Sequence, residues 1–112
     1  PAELVYPNLL HQKISAVMAR QIFGVTDPAV LSAIGCHTTL RPAASRLDLA
    51  LFVADKLRWD QPGQPPYAAD MSAALQGSLE RAAWVYLNYL HEQRQRLVVL
   101  HPWAEAAWRA LK

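Results

Sequence analysis
Prolines and glycines cut this chain into helix-length pieces, and nearly every cut coincides with a signal that starts or stops a helix. Asp27-Pro28 puts a capping side chain ahead of a proline at the first helical position, where the missing N–H is no loss. That opens a helix through about Thr39. Arg41-Pro42 ends it, because the residue before proline is pushed out of the α region. Upstream, Asn8 is placed to cap a helix running to about Phe23, with Gly24 closing it. Ser45 with Asp48 three residues on reads as a variant capping box for a helix over about 46–58. The run Gln61-Pro62-Gly63-Gln64-Pro65-Pro66 cannot be helical and forms the long loop. After it come a weak start near Asp70, a strong run from Ser78 to about Arg96, and a last helix opening at His101-Pro102. Only Val98-Val99-Leu100 is strand-like, and one short run cannot build a sheet. The expected fold is all-α, with residues 1–112 as one helical domain.

Composition supports a packed core: 53% of the 112 residues are hydrophobic and 18% charged, which argues against disorder. The net charge of +2 is small and dispersed. No helix carries a basic stripe, so a nucleic-acid partner is not expected, although the balance suits a pocket that receives phosphates. The lone Cys36 cannot make an intrachain disulfide and fits a reducing cytoplasm. No stretch approaches the roughly 20 apolar residues that span a bilayer, and the N-terminus does not read as a signal peptide. The expectation is a cytoplasmic domain with no membrane partner.

In a helical protein the informative residues are polar groups on faces that read as buried. The third helix is apolar almost all round from Leu47 to Ala54, and Asp55 follows directly. A carboxylate there needs a salt bridge, to an arginine for example, or a metal. His37 continues the stripe of Val30 and Ile34 on the second helix, and His11 shares a face with Ile14, Met18 and Ile22 on the first. Either histidine reads alone as a satisfied core residue. Together, three successive helices each offer one metal-competent side chain to the same core, and two imidazoles with a carboxylate suit a transition metal. His91, in a charged stretch, reads as a solvated helix end; His101 reads as a cap, and Cys36 as packed.

The run Cys36-His37-Thr38-Thr39-Leu40-Arg41, followed by Leu51-Phe52-Val53-Ala54-Asp55-Lys56 and preceded by Leu9-Leu10-His11, resembles the second half of bacterial metal-dependent phosphohydrolases of the HD superfamily. It is close to their symmetrical diadenosine tetraphosphate hydrolase branch. The resemblance implies an HD-type bundle of about five helices and a two-metal site of iron, with manganese as the alternative. His11 and His37 would bind one metal and Asp55 the other. Thr38, Thr39 and Arg41 would lie near the phosphates of a nucleotide or dinucleoside polyphosphate, with Lys56 adding positive charge. The sequence departs from the family in having no His-Asp dipeptide, in Leu40 where the family has glycine after two threonines, and in Gln12 after the first histidine. These departures lead us to expect that the chain matches the C-terminal part of the domain, with the missing helices preceding Pro1. A homodimer, or association with that segment, would then cover exposed apolar surface. The alternative function is a catalytically incomplete nucleotide-binding or protein-interaction module.

Overall fold
The computed structural model describes residues 2–112, apart from the side chain of Asn8. The proposed Asn8 cap therefore lies outside the described residues. Seven α-helices follow one another: α1 Ala2–Val5, α2 His11–Gln21, α3 Pro28–Gly35, α4 Arg46–Leu57, α5 Ala68–Leu75, α6 Leu79–Glu92 and α7 Pro102–Leu111. Short 3-10 turns at Pro7–Leu10 and Arg94–Arg96 join them, and no strand forms among the described residues. Val98–Leu100 forms neither helix nor strand and makes no backbone hydrogen bond among the described residues.

Most boundaries are set by the expected caps. Asp27 accepts from the Ala29 N–H, Ser78 from Arg81, and His101 Nδ1 from Trp103. Ser45 and Asp48 form both halves of a capping box. Gly24 sits at φ 69°, as a left-handed helix stop requires. Three helices are shorter than their sequence suggested. α2 starts at His11, after the 3-10 turn, and α3 stops at Gly35 rather than Thr39. The second correction has a physical cause. The Thr38 and Thr39 N–H groups donate to the Gln12 Oε1 at 3.0 and 3.2 Å, so they are lost to the helix ladder. α6 likewise gives way to a 3-10 turn after Glu92.

α2 packs on α3, α3 on α4, α4 on α6, and α6 against both α5 and α7. The core lies between α4, α5, α6 and α7: Leu49, Phe52 and Val53 meet Met71, Ala82, Ala83, Leu87, Ala104 and Ala107, with Leu40 inserted from the turn after α3. α2 corrects the sequence reading. Its large apolar stripe, Ile14, Met18 and Ile22, faces outward with His11. The small residues Ser15, Ala16 and Ala19, together with the buried Gln12, turn inward. Small side chains let α2 and α3 approach closely, which decides the face. No helix among the described residues is long and apolar enough to cross a membrane.

Candidate functional site
α2 begins with His11, and the Thr38–Thr39 turn follows α3. Between them Gln12, fully buried, acts as the fastener. Its Oε1 accepts from the two threonine N–H groups, and its Nε2 donates to the Thr39 hydroxyl at 3.0 Å. This carboxamide satisfies a turn that would otherwise bury unpaired amides, at about 1–3 kcal/mol each, and it sets the register between α2 and the turn that carries His37.

The result is a close pair of imidazoles. His11 Nε2 and His37 Nε2 stand 3.0 Å apart, with the rings edge to face. His37 Nδ1 lies 2.6 Å from the Ile34 carbonyl oxygen. A carbonyl can only accept, so Nδ1 carries the proton and Nε2 is the nitrogen turned toward His11. The Thr38 hydroxyl sits 2.9 Å from His11 Nε2. Anchoring one ring nitrogen on a backbone carbonyl while the other faces outward is how metal-ligating histidines are held. The spacing also fits: two nitrogens each about 2.1 Å from one ion, at right angles to each other, stand about 3 Å apart.

Lys56, on α4, closes the other side. Its ammonium donates to the His37 carbonyl at 3.3 Å and to the Asp55 carboxylate at 2.9 Å, over the rings of Phe52 and Tyr86. Burial pulls the Lys56 pKa below its ordinary value, and the Asp55 carboxylate opposes that shift. Asp55 itself corrects the expectation of a buried carboxylate. Its side chain is 42% exposed and its partner is a lysine, not an arginine. Among the described residues no three His, Cys, Asp or Glu side chains gather closely enough to hold a metal ion. Among the described residues the structure thus brings His11, His37 and Thr38 together and links Asp55 to His37 through Lys56.

The remaining expected residues are placed differently. Thr39 is buried, donating its hydroxyl to the Leu40 carbonyl while Gln12 bonds it. Arg41 turns to the buried Asp48, its Nε 3.7 Å from the carboxylate, and Ser32 donates to the same group. His91 is half-buried rather than a freely solvated end, and its ring stacks on Trp108 at 3.8 Å. Cys36 is fully buried, and desolvation pushes its thiol up to about 11, which suits packing rather than reactivity. The residues missed by sequence reasoning are Gln12 and Asp48. A buried-face signal existed for Gln12, one place after His11 and in step with Ala16 and Ala19, but the larger apolar stripe beside it masked it.

No family model matches the chain. An uncharacterized protein in the pepC 5′ region of Lactococcus lactis subsp. cremoris is 39% identical over 110 residues, covering 98% of this chain and 55% of that protein. A symmetrical bis(5′-nucleosyl)-tetraphosphatase from Halalkalibacterium halodurans is 30% identical over 90 residues, 79% of this chain and 48% of that one. A probable nicotinate-nucleotide adenylyltransferase/Ap4A hydrolase from Mycoplasma genitalium is 37% identical over 54 residues, 46% of this chain and 15% of that one. The chain thus spans about half the length of the first two relatives. Among solved structures, a predicted HD superfamily hydrolase involved in NAD metabolism, from Clostridium acetobutylicum, superposes with a TM-score of 0.86 at 24% identity, covering 97% of this chain and 57% of that one. The fold is therefore the HD-type helical fold.

Proposed function
We propose that this chain is part of a metal-dependent phosphohydrolase of the HD superfamily, acting on a nucleotide or a dinucleoside polyphosphate such as diadenosine tetraphosphate. The observation that carries the reading is the His11–His37 pair, with Nε2 atoms 3.0 Å apart on a fold shared with an HD superfamily hydrolase. The likeness to a symmetrical tetraphosphatase supports the substrate class.

In such a reaction water adds to a phosphorus, a phosphoanhydride P–O bond breaks, and the departing phosphate takes the bonding pair. A bound divalent metal, iron with manganese as the alternative, supplies an acidified water and draws charge from the phosphoryl oxygens. His11 and His37 would hold it, and Asp55 would serve a second metal in the complete site. The Ile34 carbonyl orients the His37 ring. Thr38, beside His11, would meet phosphate oxygens, and the buried Lys56, bonded to the His37 carbonyl and to Asp55, would add positive charge behind them. Thr39 would act by holding that turn, while Arg41 reaches phosphate only by leaving Asp48. The test is metal content per chain together with phosphate release from diadenosine tetraphosphate by the full-length protein. His37→Ala should lose the metal, and both His37→Ala and Asp55→Ala should cut turnover by more than about a hundredfold. Full turnover in both variants would sink the reading.

One observation favours a second reading. Only two candidate ligands meet among the described residues, whereas a catalytic metal takes about three from protein. A nucleotide-binding or interaction module would bind nucleotide without turnover in the same assay. The outward apolar face of α2, with Val17 50% and Ile22 65% exposed, further supports cover by a second copy or by the segment expected before Pro1.

A further inference from the structure
Beside the histidine pair lies a cavity of about 200 Å³ that the proposed chemistry leaves unused. Tyr6, Tyr86 and Leu90 line it, together with the stretch Val98–Leu100. Thr38 also lines it, and the Thr38 hydroxyl lies 2.9 Å from His11 Nε2. The cavity thus shares Thr38 with the histidine site, where phosphates would sit.

Two features narrow what it takes. The volume is below the about 300–1,000 Å³ of pockets that enclose whole drug-sized ligands, so it admits a single ring system and no more. The second feature is the backbone. Among the described residues no hydrogen bond is made to the main chain of Val98, Val99 or Leu100. Backbone N–H and C=O groups are obligatory hydrogen-bonding groups. This segment therefore presents donors and acceptors beside a mostly apolar slot. A flat heteroaromatic ring with adjacent donor and acceptor edges matches both features. Every nucleobase has a π-face for aromatic and apolar walls and a polar edge for a backbone.

The geometry points to this cavity as the nucleobase subsite, with Val98–Leu100 reading the edge of the base and Tyr6 and Tyr86 flanking the ring. The inference rests on the phosphohydrolase reading for the direction of the phosphates, and it predicts that affinity comes largely from the nucleoside.

The test compares ADP with inorganic pyrophosphate, which carries the same two phosphoryl groups without the nucleoside. Both are titrated calorimetrically into the full-length protein with manganese present. ADP should bind tighter by about tenfold to a hundredfold, the worth of seating one base. Val99→Trp, which fills the slot, should erase that preference while leaving pyrophosphate affinity unchanged. If circular dichroism finds Val99→Trp unfolded, Tyr6→Ala at the cavity mouth carries the test and should lower ADP affinity alone. Equal binding of the two ligands by the unaltered protein, or ADP affinity untouched in the folded variants, overturns the inference. Phosphate release from tripolyphosphate, measured in parallel, separates the two ideas. Turnover without base preference leaves the hydrolase reading standing and removes this one; base preference without turnover does the reverse.

Discussion
Leu40 and Ala43 hold left-handed backbone, φ 59° and 56°, where a side chain costs about 1–2 kcal/mol. Their substitutions by glycine should move stability in opposite directions. Ala43 is exposed, so Ala43→Gly removes strain and loses no packing. Urea unfolding should show it more stable by up to about 1 kcal/mol. Leu40 is fully buried in the core, and losing that side chain costs more than the strain it relieves. Leu40→Gly should be less stable by about 2 kcal/mol. At this scale the sequence showed which side chains were metal-competent but not where they point. His11, His37 and Asp55 were legible as metal-competent. Their directions depended on Gln12, whose bonds to Thr38 and Thr39 span 26 and 27 residues and leave no local periodic trace.

Helices announced themselves through their ends more reliably than through their faces. Caps at Asp27, Ser45, Ser78 and His101 were readable because each is a local exchange between one side chain and an amide two or three residues on. The face of α2 was not, because hydropathy favoured Ile14 and Met18 while close packing favoured Ala16 and Ala19. α1 shows a longer-range device: Glu3 receives Lys13 from α2 and His101 from the start of α7. Lys13 first, then His101, hold the Glu3 carboxyl down at about 2 against an ordinary 4.5. A depressed carboxyl stabilises the folded state fully above pH 4.5, and that contribution fades as pH falls toward 2. Glu3→Gln should therefore be less stable than the unaltered protein at pH 7. The difference should close between pH 4.5 and 2 in paired thermal melts, and a gap that persists at pH 2 would refute the assignment.

Over the whole molecule, the buried surface is concentrated between α4, α5, α6 and α7, while α2 leaves Ile14, Val17, Met18, Ile22 and Phe23 in the open. Contiguous exposed apolar side chains of this size mark a surface that associates. The 112-residue chain alone should elute as a species heavier than 12.5 kDa by light scattering, and Val17→Glu with Ile22→Glu should return it to a monomer with unchanged helicity. A monomer before substitution would show that the face needs no cover. The all-helical fold was legible because a sheet needs more than the single Val98–Leu100 run; the grouping of helices depended on contacts between distant segments, which no window of sequence contains. Thr38 joins the two halves of this picture, since its hydroxyl meets the imidazole pair and the same residue lines the neighbouring cavity. Ligands that share a wall in this way are thermodynamically linked: whatever factor an occupant of the cavity adds to affinity at the histidines is returned to it in full by the occupant of the histidines.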